Sequence, residues 1–172
     1  ETRYSGNVDI VKVVRDAVRS VGYTEADYGF DAVHSAVVLA INEQSPDIAQ
    51  GVDNATEAGS GDELDRIGAG DQGIMFGYAV DETPQLMPLP ITLAHGLARQ
   101  LAQVRRHGTV PWLRPDGKTQ VTVAYEDGKP AGLDTSVGSA QHRPEVSGEE
   151  VRRAVREHVI TPNVAEELLA DA

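Results

Sequence analysis

Hydrophobic and polar positions along this chain change period several times, and each change predicts an element. Val11, Val14, Val18 and Val21 recur at three- and four-residue steps, with Lys12, Arg15 and Arg19 between them. That spacing predicts a helix packed by one face, stopped at Gly22. Tyr28-Gly29-Phe30-Asp31 predicts a turn into a strand. Ser35 to Ile41 is an apolar run of strand length and predicts a central strand. The polar stretch Asn42-Glu43-Gln44-Ser45-Pro46-Asp47-Ile48 follows directly. Polar residues at the end of a buried strand often build sites, although an ordinary exit from strand to loop accounts for these equally well. Gln50 to Ile67 has no hydrophobic periodicity and is rich in Gly, Ser, Asn and acids. A loop this long is either a lid or a disordered surface insertion.

The second half is more regular. Met87-Pro88-Leu89-Pro90 sets a helix start, with Pro90 near the first turn. Leu93, Leu97, Leu101 and Val104 form its apolar stripe, and Ala94 and Ala98 widen it. Gly108 ends it, and Arg105, Arg106 and His107 occupy the last turn. Positive charge there complements the helix dipole, so the cluster reads as capping rather than as a nucleic-acid patch, and His95 as a helix-face residue. Thr119 to Tyr125 alternates, with Val121, Val123 and Tyr125 on one face. Glu126-Asp127-Gly128-Lys129 turns the strand back, and Leu133 to Ser139 is its antiparallel return. Ser147-x-x-Glu150 is a capping box before a helix carrying Val151, Val155 and Val159 inward. Pro162 interrupts that helix, and a short helical tail follows. The elements predict an α+β fold.

Two stretches carry candidate chemistry. Gly68 to Tyr78 holds four glycines, with Asp71 and Gln72 between them. Such a backbone can take positive φ and approach a ligand closely. Gly68-x-Gly70-x-x-Gly73 matches the dinucleotide fingerprint in letters, but that fingerprint needs a buried strand before it and a long helix after it. A loop precedes this one, and Ile74 to Val80 reads as a short strand. A tight glycine turn or a ligand loop remain. The other stretch is Trp112-Leu113-Arg114-Pro115-Asp116-Gly117-Lys118. Pro-Asp-Gly is a strong turn signal and predicts a surface hairpin turn. Lys118 stands at the mouth of the following strand beside Asp116, where an ammonium can bind phosphate as a point charge.

Composition narrows the classes. The 172 residues allow one domain or two small ones, and 40% hydrophobic content supports a core. A net charge of −12 opposes non-specific binding to nucleic acid or to an anionic membrane. With no cysteine, disulfides, thiolate catalysis and Cys-zinc sites are excluded. No apolar run has the length of a membrane span, and no signal-peptide pattern opens the chain. A cytoplasmic protein is the expectation. The sequon Asn54-Ala55-Thr56 then reads as a chance match.

Six segments, in order, carry a resemblance. They are Gly29-Phe30-Asp31, Gln44 to Asp53, Gly68 to Tyr78, Leu86-Met87-Pro88-Leu89-Pro90, Leu113 to Val121, and Ser139-Ala140-Gln141-His142. Together they resemble S-adenosylmethionine synthetase (methionine adenosyltransferase). The resemblance implies repeated two-layer sheet-and-helix domains. Residues 1–80 would be the end of the first family domain, with a mobile gate loop over 44–67, and 81–172 the central domain. It implies an enzyme that joins ATP to L-methionine and releases phosphate and diphosphate, with Mg2+ and K+ as cofactors. It further implies a homodimer, or dimer of dimers, with the site between subunits.

Carried over by position, Glu1 and Gln44 resemble the family's methionine-contacting acid and amide. Asp116 and Lys118 resemble its ATP-contacting pair, with Lys118 on phosphate oxygens. Asp71 resembles a substrate-facing acid, and Ile48 the apolar contact of the gate. The family's His-Pro-Asp segment, which holds the catalytic histidine and a magnesium acid, has no counterpart here, and neither do its later glycine-rich segments. The expectation is therefore a part of a larger enzyme, incomplete as a site by itself. The alternative is an inactive domain that serves as a dimerisation or nucleotide-binding module.

Overall fold

The computed structural model describes residues 2–3, 6–53, 63, 68 and 73–169. They divide into two compact units, Glu1–Val14 with Ala36–Gly77, and Arg15–Ser35 with Tyr78–Ala172. Helix α1 (Ile10–Val21) contributes residues to both and stops at Gly22, which takes φ +111°.

The second unit is an antiparallel hairpin with helices on one face, an α+β arrangement in two layers. Strands β1 (Leu113–Glu126) and β2 (Lys129–His142) pair along their length. Asp127 and Gly128 join them with φ +48° and +77°. Two consecutive left-handed residues make the two-residue turn whose twist suits paired strands, as the Asp-Gly dipeptide predicts. Along β1 the odd positions face the helices. Val121 and Val123 pack against the core, whereas Lys118, Gln120 and Thr122 are exposed on the opposite face.

Helix α3 (Leu89–Arg106), which follows α2 (Pro46–Asp53) in the chain, covers the helix face of the hairpin. Pro90 occupies its first turn, where no N–H is needed. The Glu82 carboxylate accepts the Leu89 N–H at 2.8 Å, so one free donor of the helix end is satisfied. Leu93, Leu97 and Val104 are buried with Val110, Leu113, Leu133, Val159 and Val164, and Leu101 packs against this cluster. Arg105 does not cap its own helix. It donates to the Val21 carbonyl at 2.8 Å, at the last turn of α1. Arg15, expected on the wet side, clamps the loop after α1 by donating to the carbonyls of Ala32, Val33 and Ser35 at 2.6, 2.7 and 3.2 Å. In the same loop Asp31 accepts the N–H groups of His34 and Val33, and these bonds hold its carboxyl below the usual carboxylate range.

Helix α4 (Gly148–Val155) begins as predicted, with Ser147 Oγ accepting the Glu150 N–H at 3.2 Å. The interruption at Pro162 then spreads backward. Arg156–Ile160 forms a π turn, closed by the Thr161 N–H on the Arg156 carbonyl at 3.0 Å. Proline has no N–H, so the carbonyl four residues before it, His158, lacks its helical donor. Gln100 of α3 supplies one at 3.0 Å. The wider turn also carries Val159 into the core at 2% exposure. The short α5 (Glu166–Leu169) ends the described chain.

The first unit has less regular structure. Helix α2 (Pro46–Asp53) opens on a proline and buries Ala49. It extends into a stretch expected to be loop. Thr2 forms an isolated parallel bridge with Glu43, and Arg3 makes a two-pronged ion pair with Asp53, one arm at 2.7 Å. Two segments expected as strands, 35–41 and 74–80, join no ladder among the described residues. Val38 is 89% exposed and Phe76 95%. An apolar run becomes a strand only when a neighbour takes its N–H and C=O groups, and the described part of this unit offers none.

Two outcomes are expected. Leu97→Ala, at the centre of the core, should lower stability by about 2–5 kcal/mol in urea unfolding. Tyr125 donates to Glu82 at 2.7 Å, and this bond pushes its phenol up to about 12 from 10.0. The folded pKa is the higher one, so the bond contributes below pH 10 and is lost as pH rises through 12. Ultraviolet phenolate titration should show one tyrosine ionising after the others, and Tyr125→Phe should remove that late step. A late step that survives the substitution would contradict the Tyr125–Glu82 bond.

Candidate functional site

The segment expected as a hairpin turn is instead the entrance of β1. Leu113 pairs with His142 and Gly117 with Ala140, so β1 takes four residue steps where β2 takes two. This is a bulge inside a continuous strand. Pro115 has no N–H for a ladder and sits where the ladder is broken. At Gly117 the strand passes close to α3, and an added Cβ would lie 2.6 Å from Leu101 Cδ2. Pro-Asp-Gly therefore shapes a bulge here, because the pairing of the residues around it decides between turn and bulge.

Asp116 and Lys118 are exposed on either side of Gly117. Lys118 lies opposite Ser139 in register. Neither side chain is engaged by a hydrogen bond or ion pair among the described residues. A carboxylate and an ammonium held two residues apart and open to solvent can grip a polyanionic ligand that also carries hydroxyls. The ammonium supplies point charge, and the carboxylate accepts hydrogen bonds.

Arg114 supports the same bulge from the buried side. Its guanidinium is 14% exposed, bonds Asp27 at 3.1 Å and lies 4.9 Å from the centre of the Tyr28 ring. Its Nε is buried and meets no hydrogen-bond partner among the described residues. Nothing in the spacing around Arg114 marks it out from the rest of the motif. The signal available was an arginine directly before a proline-broken strand, with Tyr28 and Asp27 in an earlier turn. Thr119 is a second such residue. It shares the helix-facing parity of Val121 and Val123, and a hydroxyl in an apolar row calls for a partner. The Ala94 carbonyl of α3 is that partner, at 2.7 Å.

Of the other candidates, Gln44 and Ile48 lie in the first unit. The Gln44 N–H donates to the Thr2 carbonyl at 3.3 Å, and Thr2 N–H donates to Asn42 at 3.0 Å. Backbone bonds thus tie the residue after Glu1 to the backbone at Gln44. Ile48, on α2, is 45% exposed. Glu1 and Asp71 lie outside the described residues, as does most of the gate stretch. Among the described residues no three His, Asp or Glu side chains gather to hold a metal ion. A groove of about 720 Å³ between β2 and α4 contains neither Asp116 nor Lys118.

Residues 66–172 match the family model described as S-adenosylmethionine synthetase, central domain. This covers more than half of the chain. The chain belongs to the S-adenosylmethionine synthetase family. The family is one of enzymes, transferases by reaction, and the matched region is its central domain. It includes the bulge with Asp116 and Lys118, whereas Gln44 and Ile48 precede it. No helix among the described residues is long and apolar enough to cross a membrane.

Arg114→Ala should cost about 1 kcal/mol, from the ring contact and the partly exposed pair with Asp27. Urea unfolding checks it, and an unchanged midpoint would show that the guanidinium adds nothing to the bulge.

Proposed function

We propose that this chain takes part in the synthesis of S-adenosylmethionine from ATP and L-methionine, as part of a larger enzyme. In that reaction the methionine sulfur attacks C5′ of the ribose. A C–S bond forms, the C5′–O bond to triphosphate breaks, and the product is a sulfonium. The triphosphate is then hydrolysed to phosphate and diphosphate. The observation that carries the reading is a central-domain match whose bulge leaves Lys118 and Asp116 open and unengaged.

Each residue has a part set by its chemistry. Lys118 binds phosphate oxygens, and its charge counts for more as the leaving triphosphate gains charge. Asp116 accepts from the nucleotide's hydroxyls. Glu1 holds the methionine ammonium and the Gln44 amide donates to its carboxylate, which keeps the sulfur in line with the bond that breaks. Asp71 faces substrate, and Ile48 closes the apolar side of a gate formed by 44–67. Mg2+ and K+ belong to the proposal as charge partners of the triphosphate. The described residues gather no cluster of His, Asp or Glu to hold either ion. A homodimer or dimer of dimers with the site between subunits completes the reading.

A second reading has its own observation. Ile74, Met75 and Phe76 are 83%, 87% and 95% exposed. Contiguous apolar surface of this kind marks an interface, which favours a dimerisation or nucleotide-binding module without chemistry. An assay of S-adenosylmethionine formation from ATP, methionine, Mg2+ and K+, run on the larger enzyme that contains this chain, separates the two. If Lys118 binds phosphate, Lys118→Ala should lower kcat/KM for ATP by about tenfold or more, whereas Lys129→Ala, at the hairpin turn, should change it by less than about twofold. Equal effects would count against the phosphate role. Absence of product with retained dimerisation would favour the second reading.

A further inference from the structure

We infer that Thr119 is a positioning residue for Lys118, and that its hydroxyl, rather than its packing, sets where the ammonium sits. The inference rests on the phosphate role proposed for Lys118.

The Thr119 hydroxyl donates to the Ala94 carbonyl in the second turn of α3 at 2.7 Å. Its helix-facing neighbours on β1, Val121 and Val123, pack on the core without polar atoms. A valine at 119 would continue that row equally well, so packing does not explain the hydroxyl. A hydrogen bond does what packing does not: it fixes direction, and therefore the rotation of the strand about its own axis. Successive strand residues point to opposite faces, so holding Thr119 on the helix face holds Lys118 on the open face.

The other flank of Lys118 is fixed differently. Gly117 brings the backbone so close to Leu101 that no Cβ fits without movement of that side chain. Lys118 is thus bracketed by two close approaches to α3, one by absence of a side chain and one by a directed bond. Bracketing matters at this place because the ladder is irregular from Leu113 to Gly117 and gives the strand entrance little support of its own. The lysine side chain stays flexible beyond Cβ. The fold controls its starting point, and the Thr119 bond is the part of that control nearest to it.

The test is calorimetric titration of the full chain with inorganic triphosphate and with ATP, together with thermal unfolding of each variant. Thr119→Val should weaken triphosphate binding by about five- to tenfold, Thr119→Ser should stay within about twofold of the parent, and the exposed-face control Thr122→Val should not differ from it. A purely structural hydroxyl would lower the unfolding midpoint in Thr119→Val and leave triphosphate affinity unchanged, which would overturn the inference. If Thr119→Val does not fold, Thr119→Ala replaces it under the same criteria. Lys118→Ala separates the two layers of the claim. If it loses affinity and Thr119→Val does not, only the positioning inference falls. If Lys118→Ala binds triphosphate as the parent does, or the parent does not bind it, the phosphate role falls and the inference with it.

Discussion

The packing of α3 on β1 is the contact on which the second unit depends. A two-stranded hairpin is marginal in water by itself and needs a layer against one face. Helix α3 is that layer. Leu97 is 2% exposed, and Leu93 and Val104 are buried above and below it. Each such side chain contributes about 1.5–3 kcal/mol when removed from water. The polar fastenings follow the same helix. Glu82 holds its N-terminus and reaches Tyr125, Thr119 bonds Ala94 in its second turn, and Arg105 bonds the end of α1 from its last turn. Apolar burial supplies most of the stability, and these directed bonds set register and orientation.

The candidate site is a by-product of how β1 begins. A proline at the entrance prevents regular pairing, and the ladder resumes only at Gly117. Within the gap, Arg114 turns inward to Tyr28 and Asp27, and Asp116 is exposed. Once the ladder resumes, alternation carries Lys118 to the face away from the helices. Opposite charges are thereby left free of structural duty beside each other, which suits a ligand more than it suits the fold. The same residues would contribute more to stability if they were paired, so the fold itself does not account for their openness.

The first unit shows what happens when such a layer is missing from the described chain. Its apolar segments join no ladder among the described residues, and Val38, Ile74 and Phe76 stay in water. Order there comes from α2, from the short bridge at Thr2 and from the Arg3–Asp53 pair, in which the bond from Arg3 pulls the Asp53 carboxyl below its ordinary range. That pair is exposed on both sides and adds little stability. Surface of this composition needs a cover, and this is the physical content of the expectation that the chain works in an assembly.

Sequence alone determined the features whose causes lie within a few residues. The stripe Leu93, Leu97, Leu101, Val104 defined α3, Asp127-Gly128 defined the hairpin turn, Ser147 to Glu150 defined the cap, and six segments in order carried the resemblance to the S-adenosylmethionine synthetase family. Each depends on local backbone preference or on side chains one helical turn apart, or on a chemical pattern quoted in order. The tertiary structure decided the rest. Ser35 to Ile41 had the composition of a central strand and meets no ladder partner among the described residues. Pro115-Asp116-Gly117 had the letters of a turn and became a bulge, because β2 pairs on both sides of it. The π turn arose because Gln100, on another helix, could satisfy the His158 carbonyl that Pro162 cannot. Thr119 looked like one more strand residue until Ala94 stood opposite its hydroxyl. Strand pairing and hydrogen bonds between distant residues depend on which groups the fold brings within about 3 Å, and that distance is not written in the spacing of residues along a chain.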